Sequence, residues 1–101
     1  MDYVALLRYR SSVPVAERDA ALVRRTNWQY PKTIQPIAEY WPLSGDVQVV
    51  SIVRTDDIGA LLELEFEWSD VFDIDISPAV SAEEGLRIGP EVFGRLGRLQ
   101  H

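Results

Sequence analysis

Carboxyl and phenol groups are the side chains in this sequence that could do chemistry. The 101 residues include sixteen Asp or Glu, four Tyr and no Cys, and the single His is the last residue, His101. Without Cys there can be no disulfide, thiolate nucleophile or thiolate metal site. Phosphate-binding loops, nucleophile elbows and zinc motifs are also absent from the sequence. We therefore predict no cofactor and no metal, and look for ligand binding or acid–base chemistry.

Two aspartates form the first candidate site. Asp73 and Asp75 alternate along a strand-like segment and therefore share one face of it. If that face is enclosed, repulsion raises the pKa of at least one carboxyl group, and the pair could act as acid and base or hold a divalent cation. The other interpretation is that both face water on an edge strand, where charge deters edge-to-edge pairing. The rarity of fully buried carboxylates favours this second interpretation.

Aromatic residues form the second candidate site. Tyr3, Tyr9, Tyr40 and Trp41 could line a pocket with flat apolar walls and phenol donors, suited to an aromatic ligand. Glu39 is the carboxylate that enters such a pocket if the strand register turns Glu39 and Trp41 inward. Aromatic residues in strands are also common in plain cores and interfaces, so that alternative stays open.

The strands that must position these residues are predicted from alternation. Four segments alternate in the way typical of strands, at residues 2–10, 34–43, 47–53 and 71–78. Pro36 and Pro42 remove two ladder donors from the second segment, so we expect it to be irregular or at an edge. In the fourth segment, Phe72, Ile74 and Ile76 share the face opposite the two aspartates.

Two longer helices are predicted from helical spacing. The first spans residues 14–28, and its apolar stripe consists of Val15, Ala16, Ala20, Leu22 and Val23. The second opens at Thr55, Asp56 and Asp57, whose side chains can cap free N–H groups. Its residues at helical spacing are Ile58, Leu61, Leu62, Glu65 and Trp68.

The C-terminal segment is predicted to form two short helices. Ser81 begins a capping-box pattern, and Gly89 with Pro90 begins a final helix. The apolar stripe of that final helix consists of Val92, Phe93, Leu96 and Leu99. A stripe of this kind needs a surface on which to dock.

The order strand, helix, strand, strand, helix, strand predicts an α+β fold of the ferredoxin-like βαββαβ type, with a four-stranded antiparallel sheet and both helices on one face. The other sheet face would expose apolar residues of the first three strands, which favours an interface. Two such sheets packed face to face make a dimeric α/β barrel, so we predict a homodimer. We expect residues 1–80 to form the barrel domain, and residues 81–101 to form a C-terminal helical extension that crosses to the partner or closes an end of the barrel.

Several segments together also resemble a known family: residues 3–10, 39–41, 47–50 and 55–57, the pair Trp68 and Asp70, and residues 72–80. They resemble small uncharacterised dimeric α/β-barrel proteins grouped under a domain-of-unknown-function label. The resemblance covers residues 1–82. It implies the ferredoxin-like fold and the dimer, and it brings no established activity.

The charge distribution limits the partners. The net charge is -6, and residues 55–86 hold ten acidic side chains and no basic one. Phosphate neutralisation needs a clustered basic face, so we predict no nucleic-acid partner. No apolar stretch is long enough to span a membrane, and the opening residues do not resemble a signal peptide. We therefore expect no membrane partner and a cytoplasmic location.

Two functions follow as expectations. In the first, the protein encloses a small apolar or aromatic molecule at the sheet or the dimer interface, and either binds it or acts on it through Asp, Glu or Tyr groups. Whether it is an enzyme stays open. In the second, the chain is a non-enzymatic protein–protein interaction module that uses the acidic helix 56–68 and the amphipathic C-terminal tail.

Overall fold

The computed structural model of the protein describes residues 1–98. It contains seven elements: β1 (Asp2–Tyr9), α1 (Val15–Asn27), β2 (Gln35–Tyr40), β3 (Val47–Arg54), α2 (Ile58–Trp68), β4 (Phe72–Ala79) and α3 (Ala82–Arg95). The first six follow the predicted βαββαβ order, and α3 is added at the C-terminal end.

The four strands form one antiparallel sheet in the order β2-β3-β1-β4. This topology confirms the predicted α+β fold class. β2 lies at an edge of the sheet, and its register with β3 shifts between Pro36 and Ala38. The missing N–H of Pro36 explains both features, because proline cannot donate to the ladder within a central strand.

The two faces of the sheet differ in what covers them. Ala5 and Leu7 of β1 are buried beneath α1 and α2, on what we call the covered face. Val4 and Leu6 point to the opposite side, which we call the open face, because successive strand residues alternate. The apolar part of the open face consists of Val4, Leu6, Ala38, Tyr40, Val50 and Ile52.

The core lies between the covered face and the two helices. One cluster joins Ala5 and Leu7 to Ala21 of α1, Trp68 of α2 and Phe72 of β4. A second cluster is built around Val53 and consists of Ile34, Val53, Ala60, Leu61 and Leu64. Alanines at the contact points leave room for each helix to approach the sheet closely, as dense packing requires.

The predicted apolar stripe of α1 is wrong as the inward face at every position except Leu22. Ala21 is the buried residue of this helix, and Val15 and Val23 are exposed. Five residues of α1 line a pocket on the sheet side, namely Arg18, Asp19, Ala21, Leu22 and Arg25. All but Asp19 are spaced at i, i+3, i+4 and i+7, which is the spacing of one helix face. A search for apolar stripes misses this face because two of its four residues are arginines.

The predicted inward residues of α2 are partly wrong. Leu61 and Trp68 are buried as predicted, but Ile58 and Leu62 are exposed, and Ala60 and Leu64 take their place in the core. The helix begins at Ile58, later than predicted, because Asp57 is the N-cap and accepts a hydrogen bond from the Ala60 N–H at 3.4 Å.

α3 is one continuous helix, and the prediction of two short helices is wrong. The Ser81 Oγ accepts from the Glu84 N–H at 3.0 Å, as the capping pattern predicted. Pro90 lies inside the helix, where its missing N–H removes a single ladder bond without ending the helix. The predicted stripe residue Leu99 and the single histidine, His101, lie outside the described residues.

α3 contributes no buried side chain. The chain is correspondingly elongated, with a radius of gyration of 17.0 Å, compared with about 13 Å for a compact domain of this length. Over residues 1–98, no helix is long and apolar enough to cross a membrane.

Candidate functional site

A pocket of about 250 Å³ lies on the covered face, between α1 and the sheet. Its floor comes from β1, β2 and β3, and its sides come from α1, the end of α2 and the segment that follows α1. The volume is slightly below the range of about 300–1,000 Å³ that is usual for small-molecule sites.

Five aromatic rings in edge or face contact form the wall of the pocket, and we call them the aromatic row. In spatial order they are Tyr9, Phe72, Trp68, Trp28 and Tyr30. The successive ring centroids lie 5.1, 6.0, 5.5 and 4.7 Å apart. Separations of this size are typical of favourable aromatic pairs.

The local sequence explains why the row forms. Tyr9 ends β1 and Phe72 begins β4, and the antiparallel register pairs them directly, so that their rings stack at 13°. Trp68 is the last residue of α2 and is buried in the core. Trp28 immediately follows α1 and contacts Trp68 and Tyr30 at its two sides.

Glu39 lies at one end of the pocket, where both of its carboxylate oxygens are hydrogen-bonded. Arg25 donates to it from Nε and Nη2, at 3.1 and 2.9 Å. The Tyr30 hydroxyl donates at 2.6 Å and the Trp41 Nε1 at 2.8 Å. The Tyr30 hydroxyl also lies 2.7 Å from the Oγ of Ser51, a buried residue. We call these residues the Glu39 cluster: Arg25, Tyr30, Glu39, Trp41 and Ser51.

The ionisation of the Glu39 cluster follows from its contacts. Burial acts to raise the pKa of Glu39, but hydrogen bonds from Arg25, Tyr30 and Trp41 outweigh it and hold that pKa below its usual value. Burial, together with the hydrogen bond to Glu39, raises the pKa of Tyr30 to about 12. The hydrogen bonds to Glu39 raise the pKa of Arg25. Near neutral pH the cluster is therefore an ion pair with a neutral phenol attached.

This arrangement restricts the chemistry of the cluster. A general base needs an oxygen that can reach a substrate proton, and both Glu39 oxygens already accept two hydrogen bonds each. A phenol with a pKa near 12 holds its proton at neutral pH. The cluster can fix the position of a ligand and present a polar end to it.

Arg18 lies at the other end of the aromatic row. Its guanidinium carbon sits 4.7 Å from the centroid of the Tyr9 ring, within cation–π distance. Its Nε donates to the backbone oxygen of Val13 at 3.3 Å. No carboxylate of residues 1–98 lies within ion-pair distance of Arg18.

A family described as a domain of unknown function, DUF3303, matches residues 1–93. The chain belongs to this family. No curated protein and no solved structure matches the chain. The DUF3303 match extends past β4 into α3, so it includes the helix without buried side chains as well as the pocket.

The structure brings three of the predicted site residues of this DUF3303 protein together. Tyr9, Glu39 and Trp41 all line the pocket, with Glu39 turned inward from β2. Tyr3 lies on the same covered face but packs against the core cluster around Val53. Tyr40 lies on the open face and is 66% exposed.

The structure places the predicted aspartate pair outside the pocket. Asp73 and Asp75 lie on the open face of β4, and both are exposed. The Asp75 Oδ2 accepts from the Arg8 Nη1 at 2.9 Å, and the same guanidinium donates from Nε to Asp46 at 3.2 Å. Within residues 1–98, no three carboxylate or imidazole groups lie close enough together to hold a metal ion.

Sequence reasoning missed Arg18, Arg25, Tyr30 and Ser51 as pocket residues. Ser51 could have been singled out from the sequence, because it is the polar residue between Val49 and Val53 on an otherwise apolar strand face. The seven-residue spacing of the two arginines also places them on one face of α1. Tyr30 lies in a loop, where neither the two-residue period of strands nor the 3.6-residue period of helices applies.

Proposed function

We propose that this DUF3303 protein is a homodimer that binds a small apolar or aromatic molecule in the pocket beneath α1. The observation that carries the proposal is the aromatic row, in which Tyr9, Trp28 and Tyr30 remain partly exposed at a pocket beside the buried Trp68 and Phe72. Aromatic rings bury large areas and normally complete a core, so accessible rings on a rigid wall favour a ligand. The Glu39 cluster supports this reading, because its contacts hold one end of the pocket in place.

We infer binding and not acid–base turnover as the role of the Glu39 cluster. Its carboxylate is saturated with donors and its phenol is held neutral, so neither group is available to move a proton near pH 7. A prearranged polar end supplies orientation, which is how a few polar groups give specificity in a mostly apolar site.

The fluorescence of the tryptophans tests pocket binding. All three tryptophans of the chain line the pocket, so a bound molecule should change the intrinsic emission. We expect saturable quenching or a spectral shift with the neutral aromatic probe 4-phenylbutan-1-ol. Trp41→Ala should weaken probe binding. Tyr40→Ala, which changes the neighbouring residue on the open face, should leave it unchanged. Unchanged emission at millimolar probe would contradict the proposal.

The homodimer is proposed from the open face and α3 together. From strand spacing and rise, the open face offers about 500 Å² per protomer, whereas a standard interface buries about 800 Å² on each partner. α3 carries exposed apolar side chains at Val92, Phe93 and Leu96 and has no buried side chain of its own. We propose that the open faces pack together and that α3 adds the remaining contact on the partner.

Sedimentation equilibrium tests the dimer. The wild-type chain should have the mass of a dimer at micromolar concentration. The double variant Phe93→Ser with Leu96→Ser should dissociate at concentrations where the wild type does not. A monomeric wild type at micromolar concentration would overturn this part of the proposal.

A protein–protein interaction module is the second candidate function, and one observation favours it. α2 exposes Ile58, Leu62 and Phe66, which are spaced at i, i+4 and i+8 and form an apolar stripe among acidic residues. Phe66 is 74% exposed. The variant with Ser at all three positions tests whether this stripe is a contact surface between copies of the chain. It should remain dimeric and bind the probe if α2 has no part in assembly, whereas a monomeric variant would assign the dimer contact to the α2 stripe.

A further inference from the structure

The pocket has an arginine at each end of the aromatic row, and the two arginines differ in their partners. Arg25 lies 5.4 Å from the Trp28 ring and is paired with Glu39. Arg18 lies over Tyr9 and has no acidic partner among residues 1–98. The pocket therefore has one end where the arginine is paired with a carboxylate and one end where the arginine forms no ion pair.

We infer that the molecule bound in this pocket carries an anionic group, of the carboxylate class, that pairs with Arg18. The inference rests on the proposed binding function and adds to it the charge and orientation of the ligand. The apolar body would lie along the aromatic row, and the anionic group would lie at its Tyr9 end.

The geometry of Arg18 suits this role. Its stacking on Tyr9 and the bond from its Nε to Val13 hold the guanidinium in place. Both terminal nitrogens then remain available, and two parallel N–H donors match the two oxygens of a carboxylate. The side chain is half-buried, so solvent screens a charge there less than on an open surface.

A comparison with other arginines of the chain supports the inference. Arg8, Arg24, Arg25 and Arg54 each donate to at least one carboxylate within 3.3 Å. Arg10 and Arg18 donate instead to backbone oxygens, and of these two only Arg18 lines the pocket. An accessible guanidinium beside an apolar wall is what an amphiphilic anion would recognise.

Asp19 defines the competing possibility, because it also lines the pocket. It follows Arg18 directly in α1, is exposed, and forms no ion pair with it. If Asp19 and not Arg18 set the ligand charge, the pocket would prefer a cationic amphiphile.

Three probes that share one phenylbutyl body and differ in the head group test the inference. They are 4-phenylbutyrate, 4-phenylbutan-1-ol and 4-phenylbutylamine, titrated against the full chain by tryptophan emission and calorimetry. We expect the carboxylate to bind about tenfold more tightly than the alcohol, which corresponds to about 1.4 kcal/mol, and the amine to bind no better than the alcohol.

Arg18→Gln should abolish the preference for the carboxylate over the alcohol. Saturable binding of the alcohol to this variant shows that it is folded. Arg18→Lys should keep part of the preference. The matched control is Arg98→Gln, which removes the same charge outside the pocket and should behave as the wild type.

This experiment distinguishes failure of the pocket-binding proposal from failure of the inference that the ligand is anionic. If the alcohol binds and the carboxylate has no advantage, or if its advantage survives Arg18→Gln, the inference is overturned and the pocket proposal stands. A preference for the amine overturns the inference in favour of Asp19. If none of the three probes binds, both the pocket proposal and the inference are overturned.

Discussion

The two faces of the sheet carry similar arginine–carboxylate contacts in different surroundings. On the covered face, Arg25 and Glu39 form two hydrogen bonds, and the Glu39 side chain is 17% exposed. On the open face, Arg8 bridges Asp46 and Asp75, and the Asp75 side chain is 76% exposed. Exposed pairs contribute about 0–1 kcal/mol because solvent screens them. Burial therefore decides which of the two contacts is structurally important.

The difference extends to the neighbouring groups. The Glu39 carboxylate accepts from a phenol and an indole in addition to Arg25, and its pKa is lowered despite burial. Asp75 accepts from Arg8 and is otherwise exposed. The covered face therefore holds a rigid polar site beside an aromatic wall, whereas the open face holds charges that can adapt to whatever packs on them.

The largest expected effect comes from the aromatic wall of the covered face. Trp68→Ala should lower the free energy of unfolding by about 3–5 kcal/mol, because it removes a large buried side chain and leaves a cavity. Trp41→Ala is the matched control, since Trp41 is 49% exposed and contributes one hydrogen bond worth about 1 kcal/mol. Urea unfolding measures both. Equal losses would show that the pocket wall is not part of the core.

The next largest effect tests the Glu39 cluster and its pH dependence. Glu39→Gln should cost about 2 kcal/mol at pH 7, because it leaves the half-buried Arg25 without a counter-charge. The folded-state pKa of Glu39 lies below its usual 4.5. Its contribution is therefore fully present above that value and is lost as pH falls through the lower folded pKa.

Urea titrations of the wild type and of Glu39→Gln at several pH values check this prediction. The difference between the two proteins should be constant at neutral pH and should shrink below about pH 4.5. A difference that stays constant into acid would show that the carboxylate is not the ionised group that stabilises Arg25.

A smaller effect is expected at the phenol of the cluster. Tyr30→Phe should cost about 1 kcal/mol, since it removes the hydroxyl that contacts Glu39 and Ser51. Because the folded pKa of Tyr30 is raised from 10.0 to about 12, its contribution is present below pH 10 and is lost as pH rises through 12. Ultraviolet titration of the wild type should show a phenol that ionises near pH 12, and this step should be missing in Tyr30→Phe.

The strands of the sheet could be predicted from the sequence because alternating residue types identify a strand and also assign each residue to one of its two faces. Tyr9 on one face of β1, and Phe72 opposite the aspartates of β4, lie as the period of two requires. Pro36 correctly indicated a strand that is irregular or at an edge, because a residue without an N–H cannot complete the ladder of a central strand.

The helix faces and half of the pocket could not be predicted by the same reasoning. The apolar-stripe prediction was wrong at most positions of α1 because Arg18 and Arg25 face the sheet, where Arg18 stacks on Tyr9 and Arg25 pairs with Glu39. The contact of Glu39 with Tyr30 depends on the path of the loop after α1. Neither the two-residue period of strands nor the 3.6-residue period of helices describes a loop. Glu39 and Trp41 were accessible to prediction because one register assumption sets both.

The smallest expected effect is at the open face, and it depends on protein concentration. In a single chain, Asp75→Asn removes an exposed ion pair and should change the free energy of unfolding by about 0.5 kcal/mol or less. If two open faces pack together, the Arg8 and Asp75 pair becomes less exposed, and leaving Arg8 without Asp75 costs more. Urea unfolding of the wild type and Asp75→Asn at low and high micromolar concentration separates these cases. A destabilisation that grows with concentration would place Asp75 inside the dimer contact, whereas a small constant value would show that the β4 side of the open face stays in water.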